Sequence, residues 1–400
     1  MNSLFEEIAL NEVCEIGNGY AFKSTQFKEN GVPLLRISNI DNERVSFEKG
    51  AVYLDEDYLS KYESFIVKNG DVVIALSGAT TGKYGTYQLS HPCLLNQRIG
   101  IIRNGKSDRL DSKYFHYYLY ELKAEILRQA QGAAQPNIST KDIGRLEIPL
   151  PPLDEQKKIA AILDAADALR QKDVQLIAKY NTLSQSLFLD MFGDLPEELV
   201  SLSSLCEINP KKSEIVRIPK STQVSFISMS HVSEEGEVDL SEIRTLAEVW
   251  TGFTYFAEDD VIFAKITPCM ENGKGGIARG LKNSIGFGST EFHVLRPIKE
   301  ISTSTWLYHL SKQPFFRELA KSKMSGAVGH KRVPKDFFDK YMVVAPPITL
   351  QTQFAERIQH IEAQKQQAQA ALQKSEDLFN SLLQRAFKGE LTQEREVSHA

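Results

Sequence analysis

The chain repeats itself once, and this internal duplication limits the folds that it can adopt. The segment 151–156, PPLDEQ, returns as 346–351, PPITLQ, at an offset of 195 residues. Upstream, the tripeptide 14–16, CEI, returns as 206–208 at an offset of 192. Each unit is therefore about 195 residues long, far above the ~20 to 50 residues of a solenoid repeat. The pattern predicts two similar domains, each followed by its own linker.

Within each unit, short apolar runs and one helical segment follow in the same order. The runs at 72–76 and 261–266 predict buried strands, and so do the pair at 98–103 and 291–296 and the last pair at 146–148 and 342–344. Regular βαβ alternation is missing, so we expect an α+β fold with mixed α/β domains. We assign the apolar face of the helical segment to core packing and not to base stacking. That face consists of Tyr114, Phe115, Tyr118, Leu119 and Leu122 in the first unit, and of Trp306, Leu307, Leu310, Phe315, Phe316 and Leu319 in the second.

Each Pro-Pro pair is followed by a long stretch that has no Gly or Pro until Gly193 or Gly389. Asp154 and Thr349 are N-cap residue types and predict where the two helices begin. Apolar residues recur every seven positions, which predicts an antiparallel coiled coil with pseudo-two-fold symmetry and one domain at each end. The predicted seam rows are Ile162, Leu169, Leu176 and Leu183 with Ile159, Ala166, Tyr180 and Leu187 in the first helix, and Phe354, Ile361, Ala368 and Leu382 with Ile358, Leu372, Phe379 and Ala386 in the second. Polar residues interrupt these rows at Asp173 in the first helix and at Lys365 and Ser375 in the second.

These patterns divide the chain into five parts. We predict a first domain at 1–150, a central helix at 151–193, a second domain at 194–345, a C-terminal helix at 346–391 and a tail at 392–400.

The charge distribution favours a phosphate-binding face on each domain. The net charge of -5 argues against nucleic-acid binding, but acids outnumber bases early in each unit and bases outnumber acids late in it. In the second unit, residues 234–260 hold one base and nine acids, whereas residues 311–341 hold eight bases and three acids.

Several classes of protein are disfavoured by the sequence. We find no apolar run near the ~18 residues of a membrane span, and the acidic start is unlike a secretory signal, so we expect a cytoplasmic protein without a membrane role. The four cysteines lack metal-site spacing, and we expect them to be reduced, buried thiols. The segment 78–84 departs from a phosphate loop, and no methyltransferase motif is present, so we expect no catalytic residues, no metal and no cofactor.

Candidate DNA-binding residues lie on three loops of each domain. Reading bases requires paired donors and acceptors held on loops by a firm scaffold. The candidates are Thr80, Thr81, Lys83, Tyr84, Asn96, Gln97, Arg98, Gln135 and Asn137 in the first domain, and Lys265, Thr267, Asn272, Lys274, Ser289, Thr290, His330, Lys331 and Arg332 in the second.

Tandem domains that each precede a Pro-Pro-x-x-x-Gln helix resemble the specificity subunits of type I restriction-modification systems. The resemblance covers essentially the whole chain, although Thr349 and Leu350 replace the acidic Asp154 and Glu155, and residues 364–373 are rich in Gln. It implies a host-defence protein in which each target-recognition domain reads one half of a bipartite target on double-stranded DNA. It also implies that the helices set the spacer and dock two methyltransferase subunits. The resemblance further implies that restriction subunits join the larger complex and that DNA methylation and cleavage reside in the partners.

Two other interpretations stay open on the sequence alone. The chain could be a DNA-binding protein without enzyme partners, or a coiled-coil scaffold that links two protein-binding modules. Salt-sensitive DNA binding would exclude the scaffold.

Overall fold

A computed structural model describes residues 4–41, 43–130, 137–195, 198–327 and 329–392. The chain divides into two compact units, one made of Met1–Lys172 with Leu372–Ala400 and the other of Asp173–Ala371. Each unit holds one mixed α/β domain and parts of two long helices, so the predicted α+β fold class is confirmed. The domain boundaries drawn from the sequence stay predictions.

The first domain contains three sheets. Its largest sheet has six strands, and the strand Ile99–Asn104 lies between its two antiparallel neighbours Cys14–Asn18 and Val72–Ala75. A four-stranded sheet has a parallel pair at its centre. In spatial order, the strands are Ile40–Asp41, Glu43–Val45, Tyr84–Thr86, Val72–Ala75, Ile99–Asn104 and Cys14–Asn18; then Tyr53–Leu54, Val32–Leu35, Cys93–Leu95 and Ile66–Val67; then Glu7–Ala9 and Glu147–Pro149.

The second domain repeats this arrangement strand for strand, except at the edge of its largest sheet. That sheet has four strands because the described chain has no counterpart of the two short edge strands at 40–45. In spatial order, the strands are Gly275–Ile277, Val261–Ala264, Phe292–Pro297 and Cys206–Ile208; then Ile243–Thr245, Gln223–Ile227, Ile285–Gly288 and Thr254–Ala257; then Leu199–Ser201 and Met342–Val344. The shared order confirms that the sequence repeat is a structural repeat.

The helices complete the two units. The predicted strand pairs all form, and their ends differ from the predicted ends by one or two residues. The α-helices are Leu10–Val13, Tyr58–Lys61, Ser112–Ala130, Thr140–Arg145, Leu153–Phe192, Leu246–Val249, Ser304–Lys312, Pro314–Ser322, Lys335–Lys340 and Ile348–Lys388, and the 3-10 turns are Ser24–Gln26, Ile37–Asn39, Glu63–Phe65, Leu202–Ser204, Lys212–Ile215, Met229–His231 and Lys282–Ser284.

Apolar helix faces pack onto the largest sheet of each domain. In the first domain the predicted face is buried throughout. In the second domain the single predicted helix is two helices, interrupted before Pro314, which lacks the N–H that a continuous helix needs. This break turns Phe315 and Leu319 to the surface, so their predicted core role is wrong.

Two long helices follow the domains, and we name Leu153–Phe192 the central helix and Ile348–Lys388 the C-terminal helix. Both end one residue before the predicted stops, Gly193 and Gly389. Both begin one residue before the predicted N-caps, so Asp154 and Thr349 lie in the first turn instead. An acid in the first turn still interacts favourably with the helix dipole.

Within each unit, the start of one long helix packs against the end of the other. In the first unit, Ile159 and Leu163 share a buried cluster with Leu383 and Ala386. In the second unit, the ring of Phe354 lies 5.1 Å from the ring of Phe192 and 5.7 Å from that of Phe188. These contacts require the two helices to run antiparallel in each unit. A continuous coiled coil along their whole length stays a prediction.

One predicted seam row of the central helix is wrong. Ile162, Leu169, Leu176 and Leu183 are 37, 46, 40 and 48% exposed, whereas Ile159, Leu163 and Ala166 are buried. The buried stripe therefore combines the row that contains Ile159 with the row that begins at Leu163. In the C-terminal helix both predicted rows face inward, and even their polar breaks Lys365 and Ser375 are buried.

Candidate nucleic-acid interface

The three predicted loops of the first domain lie side by side at one end of its largest sheet. The backbone N–H of Leu76 donates to the carbonyl of Arg98 at 3.0 Å, and the N–H of Ile138 donates to the carbonyl of Leu76 at 3.0 Å. Ser77 and Asn137 form an isolated antiparallel bridge. Backbone hydrogen bonds thus hold the segments after Ala75, before Ile99 and around Asn137 together.

The second domain holds its three loops together in the same way. The backbone N–H of Lys265 donates to the carbonyl of Glu291 at 2.9 Å, and the N–H of Thr267 donates to the carbonyl of Lys331 at 3.0 Å. The isolated bridge here joins Ile266 to Arg332, whose positions match Ser77 and Asn137 at the offsets of the repeat, 189 and 195. The chain therefore carries the same three-loop surface twice, and we call these the first and second reading surfaces.

Some predicted side chains are available for a ligand on these surfaces. They make no hydrogen bond or ion pair through their side chains with the part of the chain that the structure describes, and all but Lys83, which is partly exposed, are exposed. They are Thr80, Lys83, Gln97, Arg98 and Asn137 on the first reading surface, and Thr290, His330 and Lys331 on the second.

Two predicted DNA-binding residues of the first domain are instead buried. Tyr84 opens the strand Tyr84–Thr86 and its side chain belongs to the apolar core, with 3% of the residue exposed. Thr81 is 5% exposed, and its hydroxyl donates to the carbonyl of Gly78 at 2.8 Å. Neither side chain can reach a base from these positions, so both predictions are corrected. Gln135 lies outside the described residues.

Other predicted residues shape the loops through one side-chain hydrogen bond to the backbone. Asn96 accepts the N–H of Arg98 at 3.2 Å, and Ser289 accepts the N–H of Glu291 at 3.2 Å, so the same turn is stabilised in both domains. Thr267 donates to the carbonyl of Lys331 at 3.3 Å.

Three charged or amide side chains of the second domain are also engaged. The Arg332 guanidinium donates to Glu291 from Nε at 2.9 Å and from Nη2 at 2.8 Å, and this pairing lowers the pKa of Glu291. Asn272 donates to Glu234 at 2.8 Å, and the Lys274 ammonium donates to the carbonyl of Met229 at 3.2 Å. We therefore assign these residues to loop structure. Lys265 has no such partner among the residues that the structure describes, but burial lowers its pKa.

An Arg–Asp pair lies in each domain at the end of the largest sheet opposite to the reading surface, and the sequence alone did not reveal it. Asp71 accepts two hydrogen bonds of 2.8 Å from Arg103, and Asp260 accepts two of 2.8 and 2.7 Å from Arg296. Each pair joins the start of one strand of the largest sheet to the antiparallel strand beside it. The signal was present, because both pairs recur within the aligned repeat, but the pairing of distant residues is visible only in the folded chain.

The two Gln residues of the repeated motif attach each domain to its helix. Gln156 is fully buried, accepts the N–H of Asp111 at 2.8 Å and donates to the carbonyls of Arg109 and Pro151, each at 2.8 Å. In the second unit Gln351 repeats all three bonds at 2.9 Å with Thr303, Ile301 and Pro346. In each unit, the Gln of the Pro-Pro-x-x-x-Gln motif therefore attaches the start of the long helix to the backbone of the domain that precedes it.

Family comparison identifies the duplicated unit. The model of the type I restriction modification DNA specificity domain matches residues 2–178 and again residues 197–374. The chain belongs to the type I specificity family. Family membership agrees with the resemblance noted in the sequence and with the observed duplication.

Relatives within the type I specificity family match either part or most of the chain. The EcoAI specificity subunit of Escherichia coli is 34% identical over 249 residues, which cover 59% of this chain and 41% of that protein. The EcoBI specificity subunit of Escherichia coli is 23% identical over 437 residues, covering 96% and 86%. The chain spans only 33 and 41% of the lengths of its relatives EcoEI and EcoAI.

A solved structure shares the fold. A chain from work on complex assembly and conformational transition of the type I R-M system has a TM-score of 0.56 and 17% identity, covering 97% of this chain and 98% of that one. Among the described residues, no helix has the length and apolar character to cross a membrane, and no group of His, Cys, Asp and Glu is arranged to hold a metal ion.

Proposed function

We propose that this member of the type I specificity family recognises a bipartite sequence on double-stranded DNA, with each domain reading one half. The observation that carries the proposal is the presence of two reading surfaces built on the same backbone bridge. A duplicated recognition domain can bind two short half-sites. Because the side chains on the two copies differ, the two half-sites can have different sequences.

The chemistry of the available side chains suits base edges in the major groove. Gln97 and Arg98 offer paired donors and acceptors on the first reading surface, and His330 and Lys331 offer donors on the second. Such pairs discriminate between bases, whereas contacts to phosphate chiefly fix position and orientation. The remaining cations late in each unit would supply the phosphate contacts.

The two long helices would set the distance between the half-sites. A helix of 40 residues is about 60 Å long, while the same groove face of DNA recurs about every 34 Å. Antiparallel packing within each unit is the pairing that a rigid spacer of two helices requires. The number of unread base pairs would follow from this length.

The exposed apolar row of the central helix would bind partners. Ile162, Leu169, Leu176 and Leu183 lie seven residues apart, so they share one face of the helix. Such a row in water favours association with another apolar helix face. We assign it to the docking of two methyltransferase subunits. Restriction subunits would join the larger complex, and both catalytic activities would reside in the partners.

Loop variants test whether each reading surface recognises one half of the target. The full chain, in complex with its methyltransferase subunits, would select duplexes from a randomised library before and after the exchanges Arg98→Ala and Lys331→Ala. We expect each variant to lose discrimination at one half of the selected target by about 5- to 150-fold, because a good paired contact is worth about 1–3 kcal/mol. The other half would keep its preference.

Lys340→Ala is the matched control, because Lys340 is exposed and its ion pair with Asp336 lies on a surface helix. It should leave both halves unchanged. An equal weakening of both halves by Arg98→Ala or Lys331→Ala would contradict the proposal, since it would assign these residues to phosphate contact or to folding.

A further inference from the structure

A cleft opens in the first domain where two parallel strands end. Val32–Leu35 and Cys93–Leu95 are parallel neighbours, with Leu34 opposite Leu94 and Leu35 opposite Leu95. Their following segments therefore leave the sheet side by side, and the N–H of Asn96 donates to the carbonyl of Leu35 at 3.1 Å. The carboxyl ends of neighbouring parallel strands are a common place for ligand crevices in proteins.

Both segments line the cleft, and none of the six lining residues is acidic. We name it the Arg36 cleft, formed by Arg36, Ile37 and Ser38 on one side and by Asn96, Gln97 and Arg98 on the other. Two guanidinium groups and two carboxamides supply mostly hydrogen-bond donors. The composition favours a ligand that is rich in acceptors.

Donors in and beside the cleft are incompletely satisfied. Arg36 donates from Nη2 to the carbonyl of Gly50 at 2.7 Å, but its buried Nε has no hydrogen-bond partner in the described chain. The side-chain nitrogen of the adjacent Asn39 also has none among the described residues. Buried donors without partners destabilise the unbound chain, and a bound ligand or a small rearrangement on binding can satisfy them.

The cleft continues the first reading surface. Arg98 belongs to both, since its carbonyl accepts the N–H of Leu76 while its side chain lines the cleft. On the other flank, the N–H of Gln97 donates to the carbonyl of Tyr20 at 3.0 Å, and Tyr20 is 39% exposed. A duplex lying on the first reading surface would therefore reach the Arg36 cleft.

We propose that the Arg36 cleft binds the edge of a guanine in the half-site of the first domain, and that Arg36 and Ser38 are specificity-determining residues. Guanine presents two acceptors, O6 and N7, in the major groove, and the arginine guanidinium matches them with two donors. The proposal rests on the proposed function, because it assumes that this domain reads DNA. Neither Arg36 nor Ser38 is among the candidates that the sequence pattern indicates.

The second domain carries different side chains at the corresponding place. Its parallel strands Gln223–Ile227 and Ile285–Gly288 are followed by Ser228 and Ser289, and the N–H of Ser289 donates to the carbonyl of Ile227 at 3.2 Å. Ser228 stands where the first domain has Arg36, and Glu291, which is paired with Arg332, stands where it has Arg98. Hydroxyls contact any base more evenly, so this position of the second domain should prefer guanine less strongly.

Selection from a randomised duplex library tests the proposal with the full chain and its methyltransferase subunits. Wild-type protein should select a guanine at one position of one half. Arg36→Ala should lower that preference by about 5- to 150-fold and leave the other positions intact. Ser38→Ala should lower the preference at the same position or at the adjacent one. Arg128→Ala, which removes an exposed arginine of the same domain, is the control and should change nothing.

Arg36→Gln keeps the test informative if Arg36→Ala fails to fold. Glutamine pairs with adenine N6 and N7, so this variant should shift the preference at that position from guanine towards adenine, a gain that misfolding cannot produce. Unchanged selectivity in both Arg36 variants would overturn the proposal.

Two other outcomes would also overturn it, for different reasons. A uniform loss of affinity at all positions, with a shallower salt dependence, would assign Arg36 to a phosphate. If the wild-type complex selected no split sequence at all, the proposed function itself would fail, and the cleft proposal with it.

Discussion

His293 in the second domain makes two hydrogen bonds that fix its neutral form. Its Nε2–H donates to the carbonyl of Val333 at 2.8 Å, so Nδ1 accepts from the amide of Asn209 at 3.1 Å. Burial lowers the pKa of His293 to about 4, and the charges of Lys265 and Lys335 act in the same direction. A proton on Nδ1 would remove the acceptor that Asn209 uses.

The second domain should therefore lose stability in mild acid. Between pH 6.5, where a histidine of the unfolded chain takes up a proton, and pH 4, where the folded one does, the unfolded state binds more protons. The contribution of His293 to the free energy of unfolding of the second domain is complete above this pH window. It is lost as the pH falls through the window. Thermal unfolding measured across pH 4–7 should show this fall, and His293→Gln should flatten it. An unaltered slope in that variant would contradict the assignment.

Removing a motif glutamine should loosen one domain from its helix. Gln156→Leu leaves the N–H of Asp111 and the carbonyls of Arg109 and Pro151 without their partner, and each buried unsatisfied group costs about 1–3 kcal/mol. Chemical denaturation should detect this loss. Gln359→Leu, at an exposed position of the C-terminal helix, is the control and should stay within about 0.5 kcal/mol of wild type. Equal stability of the two variants would contradict the role of Gln156.

The sequence predicted only some of the residues that lie on the two reading surfaces. Gln97, Arg98, His330 and Lys331 were found because exposed polar loops between strands are visible in the sequence. Tyr84 was misplaced because the Gly-rich segment before it suggests a loop, while strand pairing with Val72–Ala75 draws it into the core. Arg36 was missed because only parallel pairing of distant strands brings its segment beside Asn96.

At the scale of elements, the central helix offered more apolar rows than one seam can bury. Sequence periodicity identified the helix and its ends, since Pro-Pro and Gly are strong local signals. Periodicity could not decide which second row faces inward. The row that begins at Ile162 and the row that begins at Leu163 both lie on the helix surface next to the row of Ile159, so either could complete the buried stripe. The packing of Leu163 with the end of the C-terminal helix decides it.

The exposed row predicts a separation of partner binding from stability. Leu169→Glu combined with Leu176→Glu should abolish association with the methyltransferase subunits, because it places charge on the proposed apolar docking face. The free energy of unfolding should change by less than about 1 kcal/mol, since both side chains are exposed. Pull-down and thermal unfolding measure the two effects.

Leu163→Ala is the matched contrast on the buried face. It should cost about 2–5 kcal/mol, as fully buried leucines do. Retained association in the doubly exchanged protein would show that the partners dock elsewhere.

At the scale of the whole molecule, the duplication was the most reliable sequence signal. The offsets of 189 to 195 residues align both the strand order and the bridges of the two reading surfaces. A repeat shows that two domains share one fold even before that fold is known. This explains why the tandem architecture was predictable.

We propose above that two DNA-reading domains joined by helices recognise one split sequence. Mapping methylated adenines across the source genome, with and without this gene, tests that claim most directly. We predict that one methylated motif disappears with the gene, and that it consists of two defined words separated by a fixed number of unread base pairs. Loss of no motif, or loss of a single uninterrupted word, would contradict the account.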